Sequence, residues 1–143
     1  MFIDTSGWAN LYIPSETYHP LTAKIFQESR QKQQQLFTSS YIVSELVALL
    51  DSPLRTSRNR LFSIINSIKT APFVHVIHIT PEIDNAAWEL CQKRPDKPWS
   101  LVDCSSFIIM QQLNIQTALT TVGNASPLVN RHFEQAGFTR LLK

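Results

Sequence analysis

Cysteine and glycine are both scarce in this chain of 143 residues, which contains two of the first and three of the second. Two isolated cysteines, Cys91 and Cys104, cannot form a disulfide framework or a CxxC zinc site. We therefore expect both to be reduced thiols, with Cys104 packed in the interior. No linker rich in glycine or serine, internal repeat or low-complexity tract divides the sequence, so its length predicts one domain over residues 1–143.

Long apolar runs are also missing. A membrane-spanning helix needs about 18–20 consecutive apolar residues, and no segment approaches that length. The first residues do not show the basic region followed by an apolar region that marks a secretory signal. The sequence therefore predicts a cytoplasmic protein that does not act on a membrane.

Acidic residues are absent between Asp51 and Glu82, although the formal net charge of the chain is only +2. Arg55, Arg58 and Arg60 lie inside this gap. A stripe of one sign on a helix suits a phosphate backbone or an acidic partner. An ordinary solvated helix face explains the same pattern equally well. We keep these three arginines as candidate residues for binding nucleic acid or a partner protein.

The hydrophobic pattern alternates between short apolar runs and longer segments with helical spacing. This alternation is typical of an α/β domain with a mostly parallel sheet, whose strand order the residues alone do not define. We predict strands near 1–4, 36–38, 73–79, 115–121 and 138–142, and helices near 7–12, 16–34, 41–50, 53–69, 80–93 and 100–113.

The first apolar run ends directly on Asp4, Thr5 and Ser6. In open α/β sheets, ligands bind beyond the carboxyl ends of the strands, where these three side chains are expected. Aspartate is also a good cap for a following helix. The stretch alone therefore leaves two interpretations of Asp4 equally open, a helix cap and an active-site acid.

Glu45 and Asp103 are two further acids in apolar surroundings. The segment 41–50 around Glu45 is apolar almost all round, which predicts a buried helix. No lysine or arginine lies within one helical turn of Glu45, so a local salt bridge cannot neutralise it. Asp103 also fits a capping box with Ser100, a role that is compatible with a place in a site.

Buried carboxylates are usually paired or bound to a metal, so Asp4, Glu45 and Asp103 favour a shared cation. Mg²⁺ and Mn²⁺ prefer oxygen ligands, and such an ion can activate water against a phosphodiester. The sequence contains no GxGxxG, GxxxxGK[ST], HExxH or GxSxG motif that would indicate another chemistry. A haloacid-dehalogenase-like phosphatase would need a second aspartate where Ser6 stands.

Five segments together resemble the PIN domains, and most of all the VapC-type toxins of bacterial toxin–antitoxin pairs. They are FIDTS at 2–6, SE at 44–45, WSLVDCSSF at 99–107, ALTT at 118–121 and HFEQAGF at 132–138. The resemblance implies a three-layer α/β fold with a five-stranded parallel sheet, a central first strand and helices on both faces. It also implies metal-dependent cleavage of RNA by a homodimer that a cognate antitoxin inhibits.

By this resemblance, Asp4, Glu45 and Asp103 match three of the family's four metal-binding acids and are the candidate catalytic residues. Mg²⁺ or Mn²⁺ would be the cofactor. In this interpretation Ser6 and either Thr120 or Thr121 orient water or phosphate.

The fourth acid of the family is missing. Val122 stands at its usual position after Thr121, and Asn130 takes that position when the alignment starts from His132. Asn130 offers a neutral carbonyl oxygen, and Asp96 is a further acid in a loop before the third motif, although a solvated loop acid is its ordinary interpretation. Losing a charge weakens metal binding. A catalytically impaired PIN-fold protein that binds RNA or an antitoxin is therefore the alternative to a ribonuclease.

Overall fold

The computed structural model describes residues 1–121 and 131–143. Five strands form one sheet with the order β3-β2-β1-β4-β5, and every pairing is parallel. The central position of β1 and the parallel sheet confirm what the resemblance implied. The strands are β1 Phe2–Ile3, β2 Leu36–Ser39, β3 Val74–Ile77, β4 Thr117–Leu119 and β5 Thr139–Arg140.

Helices connect the strands in the described part of the chain. Right-handed crossovers, which nearly all parallel connections adopt, place the first four on one face of the sheet and the last three on the other. The helices are α1 Thr5–Tyr12, α2 His19–Gln31, α3 Ser40–Asp51, α4 Arg58–Thr70, α5 Pro81–Lys93, α6 Leu101–Gln112 and α7 His132–Gln135. Within residues 1–121 and 131–143, none of them combines the length and the apolar character that a bilayer crossing requires.

The topology places a crevice at the end of β1. From β1 the chain continues to β2 on one side, whereas β4 pairs with β1 on the other side, with Ile3 opposite Leu119. The connections that leave β1 and β4 therefore diverge, and ligands bind at such switch points. Asp4 follows β1 and Thr120 follows β4, so both residues lie at this edge.

The core holds the short helix α7 in place next to that edge. Phe133 of α7 is buried, and its ring lies edge-on to Phe107 of α6 with the centroids 5.1 Å apart. The ring of Phe2 in β1 lies 6.5 Å away from Phe133 on another side. A four-residue helix has little stability of its own, so these aromatic contacts fix its position.

Two helix predictions were wrong. The fourth helix begins at Arg58 and not near Pro53, because the Ser57 hydroxyl accepts a hydrogen bond from the Arg60 N–H and caps the helix there. Helix α7 was missed altogether, since the sequence predicted two consecutive strands between 115 and 142. Parallel strands such as β4 and β5 need a crossover between them.

Candidate active site

A cavity of about 330 Å³ opens at the carboxyl ends of β1 and β4. The structure brings together here the three predicted acids from three separate elements: Asp4 at the end of β1, Glu45 on α3 and Asp103 on α6. The three predicted hydroxyl residues also lie in the wall. The lining residues are Asp4, Thr5, Ser6, Glu45, Leu49, Asp103, Thr120, Thr121, His132 and Phe133.

Asp4 occupies the N-cap position of α1, yet its side chain makes no capping hydrogen bond. Its Oδ2 instead accepts a hydrogen bond of 2.8 Å from the Thr120 hydroxyl. Burial, and next the negative charge of Asp103, raises the pKa of Asp4 to about 7 from its usual 3.8. Such surroundings favour a bound proton or a nearby cation at neutral pH, and the Asp4 side chain does not serve as the helix cap that was one of its two interpretations.

The hydroxyl groups form a directed chain of hydrogen bonds that ends on Asp4. The Thr121 N–H donates to Ser6 Oγ over 3.0 Å, and Ser6 Oγ lies 3.1 Å from Thr120 Oγ1. Since the Thr120 hydroxyl has one proton and donates it to Asp4, Ser6 donates to Thr120. These hydrogen bonds fix the orientation of the Ser6 and Thr120 hydroxyls at the cavity wall.

Glu45 is less buried than its sequence context indicated. Helix α3 buries Ile42, Val43, Leu46 and Leu50, whereas Glu45 lies on its exposed face. The prediction of a fully buried helix was therefore wrong. The face of α3 that contains Glu45 carries small and polar residues and is open to solvent. The Thr5 hydroxyl donates a hydrogen bond of 2.6 Å to Glu45 Oε1 and orients it toward the cavity.

Asp103 combines the two roles that the sequence left open. Its Oδ2 accepts the Ser100 N–H over 2.9 Å, and its own N–H donates to Ser100 Oγ over 3.0 Å, which completes a capping box. The same Oδ2 lies 2.8 Å from Nδ1 of His132. The carboxylate thus lines the cavity with its orientation held from two sides.

Sequence reasoning did not select Thr5 or His132 as site residues. Thr5 stands inside the Asp4–Ser6 motif, and His132 opens the block at 132–138, so both had a local signal. Their contacts to Glu45 and Asp103 span 40 and 29 positions of the chain, and only the fold reveals such pairs.

Comparison with known proteins shows that this chain is similar in sequence to an endonuclease. No family model matches the sequence. The chain is 27% identical over 141 residues to the 23S rRNA-specific endonuclease VapC20 of Mycobacterium tuberculosis, from strain CDC 1551 / Oshkosh and from strain H37Rv; the match covers 99% of this chain and 97% of the relative.

The solved structures give the same result. The crystal structure of M. tuberculosis VapC20, described as a sarcin–ricin loop cleaving toxin, superposes with a TM-score of 0.79 at 26% identity. The superposition covers 96% of this chain and 95% of VapC20. In both sequence and fold, this chain is similar to the VapC20 toxin.

Asp96 does not belong to the cavity. Its carboxylate accepts two hydrogen bonds of 2.9 Å from the Arg94 guanidinium in an exposed loop, and Arg94 holds the pKa of Asp96 low, at about 2. Asp96 is therefore the solvated loop acid that was its ordinary interpretation, and it is removed as a secondary candidate for the site. Val122 and Asn130, the two positions considered for the fourth acid, lie outside the described residues.

The predicted arginine stripe also lies away from the cavity lining. Arg55, Arg58 and Arg60 are all exposed. The Arg60 guanidinium donates a 2.7 Å hydrogen bond to the Tyr12 carbonyl, and the Arg58 guanidinium lies 4.9 Å from the ring centroid of Phe62. Their role in binding RNA or a partner stays a prediction.

The chemistry of the lining fits a hard divalent cation. The described lining residues supply three carboxylates and no lysine or arginine, so positive charge is what this cavity lacks. Over residues 1–121 and 131–143, no three His, Cys, Asp or Glu side chains meet closely enough to bind one ion directly. A Mg²⁺ ion usually takes only one or two protein carboxylates and keeps several waters, so it does not require three direct protein ligands.

Proposed function

We propose that this protein is a VapC-type toxin, a Mg²⁺- or Mn²⁺-dependent endoribonuclease that hydrolyses RNA phosphodiesters. One observation carries the proposal: three carboxylates from three separate elements line one cavity, where burial and mutual repulsion raise the pKa of Asp4 to about 7. An arrangement of like charges is costly unless a cation binds there. Carboxylates whose pKa is shifted by burial and by neighbouring like charges are found most often at functional sites.

Asp4, Glu45 and Asp103 are the residues that would hold the ion, one or two of them directly and the rest through bound water. When bound, such an ion supplies Lewis-acid stabilisation of the charge that develops during phosphodiester hydrolysis. The protein's contribution is orientation. Thr5 fixes Glu45, while Ser100 and His132 fix Asp103, so that two of the carboxylates are positioned before substrate arrives.

The hydroxyls of Ser6 and Thr120 give the wall its hydrogen-bonding capacity. Because Ser6 donates to Thr120 and Thr120 donates to Asp4, the proton positions along this chain are defined. Ser6 accepts from Thr121 N–H and lines the cavity, so a water or a phosphate oxygen there would meet oriented dipoles. No side chain has to act as a covalent nucleophile.

The proposal includes the partners of such a toxin. VapC20 acts on 23S rRNA and cleaves its sarcin–ricin loop, so an RNA hairpin carrying that loop is the first substrate to test. Arg55, Arg58 and Arg60 are proposed to contact the RNA backbone or a cognate antitoxin, and the toxin is proposed to act as a cytoplasmic homodimer.

A second candidate function rests on one specific observation. No acid occurs between Asp103 and Glu134, so the chain does not supply the fourth carboxylate that the resemblance leads one to expect. A protein with only three carboxylates would bind metal more weakly and could act by binding RNA or sequestering an antitoxin. The same fold and arginine stripe would serve that role.

Cleavage of the RNA hairpin and of a mixed RNA pool with added Mg²⁺ or Mn²⁺ distinguishes the two functions. Asp4→Asn removes a carboxylate from the cavity, and Asp96→Asn removes one from the exposed loop as a matched control. A ribonuclease predicts cleavage by the parent and by Asp96→Asn, and loss of cleavage with EDTA or in Asp4→Asn.

Failure of the freshly folded parent to cleave either RNA would support the binding function. Val122→Asp and Asn130→Asp then test the missing carboxylate. Cleavage gained by either variant would show that one charge separates the impaired protein from an active nuclease.

A further inference from the structure

The two cysteines of the chain face each other across the contact between α5 and α6. Cys91 lies near the end of α5 and Cys104 in the first turn of α6, and their Sγ atoms are 3.0 Å apart. Both are free thiols. We propose that Cys91 and Cys104 are a redox-modification site, which a two-electron oxidant of the peroxide class converts reversibly into an intramolecular disulfide.

The two sulfurs differ in accessibility in the way that such a reaction needs. Cys91 is partly exposed, whereas Cys104 is fully buried. An oxidant in solution therefore reaches Cys91 first. Cys104 is already the neighbour of that sulfur and can react with it before a second molecule of oxidant or another protein does.

The chemistry balances with hydrogen peroxide as the oxidant. The Cys91 sulfur attacks one peroxide oxygen, the O–O bond breaks, and a sulfenic acid and one water form. The Cys104 sulfur then attacks the sulfenic sulfur, the S–O bond breaks, and the oxygen leaves with the thiol proton as a second water. Two thiols and one peroxide give one disulfide and two waters. A dithiol reductant reverses the reaction by thiol–disulfide exchange.

The location gives the bond a structural effect. Cys91 Sγ also lies 3.7 Å from the carbonyl oxygen of Ser100, the residue that caps α6. A disulfide at this point would join the last turn of α5 to the first turn of α6, the turn that contains Asp103. Crosslinking lowers the conformational entropy of the unfolded chain and restrains this turn in the folded one.

The test compares the full chain before and after treatment with stoichiometric hydrogen peroxide. We expect the intact mass to fall by two hydrogens and the unfolding temperature to rise. We also expect proteolytic digestion to yield a disulfide-linked peptide that contains Cys91 and Cys104. We also expect slower amide hydrogen exchange over residues 100–104. A dithiol reductant should reverse all four changes.

Two variants control the interpretation. Cys91→Ser changes the more accessible thiol and leaves the buried side chain intact, and it should show neither the mass loss nor the rise in unfolding temperature. Cys104→Ala should behave in the same way if it folds. The proposal is overturned if the parent retains both thiols, forms sulfinic acid at Cys91, or forms disulfide-linked dimers instead. None of these measurements uses RNA cleavage, so they stand apart from the proposed function.

Discussion

The Thr120 hydroxyl donates a 2.8 Å hydrogen bond to Asp4 Oδ2 and thereby joins two residues that are 116 positions apart in the chain. The bond connects the carboxyl ends of β1 and β4, the two strands between which the cavity opens. It also lowers the pKa of Asp4 against the larger effects of burial and of Asp103, which raise it. Thr120 therefore favours the charged form of the carboxylate.

Thr120→Val removes this hydroxyl and nearly preserves the shape of a buried side chain. Hydrogen bonds to charged groups contribute about 1.5–3 kcal/mol, so we expect RNA cleavage to fall by about 10- to 100-fold. The pH at which cleavage is half-maximal should rise, because Asp4 then binds its proton more tightly. Thr117→Val changes the same residue type in β4 outside the cavity and should leave both quantities unchanged.

The pKa of Asp4 also predicts how stability depends on pH without added metal. The folded-state pKa of about 7 lies above the usual 3.8, so the folded protein binds this proton more tightly than the unfolded chain. The resulting stability is complete below about pH 4 and is lost as the pH rises through 7, by up to about 4 kcal/mol.

Urea unfolding between pH 4 and 8 with EDTA measures this contribution. Asp4→Asn should remove the part of the slope that Asp4 causes, whereas Asp96→Asn should not. Added Mn²⁺ should stabilise the parent most at pH 8, where Asp4 is charged. A parent and an Asp4→Asn variant with the same pH profile would contradict the assignment.

Gly7 allows α1 to approach the end of β4. A Cβ atom at this position would lie 2.2 Å from the Leu119 carbonyl oxygen, which is backbone and cannot rotate away. We expect Gly7→Ala to destabilise the protein by about 1–3 kcal/mol through overpacking. The shift of α1 should also weaken the contact between Ser6 and Thr120 and reduce cleavage. Urea unfolding and RNA cleavage check the two effects, and an unchanged urea midpoint would contradict the close approach.

Arg58 tests the arginine stripe. It lies in the first turn of α4, where no acid is present and a positive charge is unfavourable for the helix dipole. Arg58→Glu should improve the interaction with the helix dipole but lose the contact of the guanidinium with Phe62. Because these effects oppose each other, the free energy of unfolding should stay within about 1 kcal/mol of that of the parent. It should weaken RNA or antitoxin binding several-fold.

Lys32→Glu, which changes the net charge equally at the end of α2, is the matched control for that measurement. Equal losses of affinity in both variants would indicate a dependence on net charge alone. Unchanged affinity in Arg58→Glu would remove Arg58 from the proposed interface.

The sequence predicted the sheet strands and the three cavity acids because each has a local cause. Asp4 directly follows an apolar run, and Asp103 begins a helix with a recognisable capping partner. The central position of β1 came from the resemblance and not from the residues, since strand order depends on contacts between distant segments. The same limit explains why the partners Thr5 and His132 emerged only from the fold.

The predictions that failed depend on tertiary packing. Four residues of α7 carry too little periodicity to be recognised, yet aromatic contacts hold them in the core. The exposure of Glu45 depends on which face of α3 the sheet covers. In both cases the deciding contacts come from residues outside the local sequence pattern.

The placement of β1 at the centre of the sheet has a consequence for synthesis. β1 is synthesised well before its partner β4, which begins only at Thr117. Contacts of such large sequence separation form late because loop closure must come first. β1 cannot pair with β4 before residues 117–119 have been synthesised. The hydrogen bond from Thr120 to Asp4 cannot form before that point either. The cavity is therefore completed only after β4 and Thr120 have been synthesised, so a ribosome that translates this protein does not meet a finished cavity before that point.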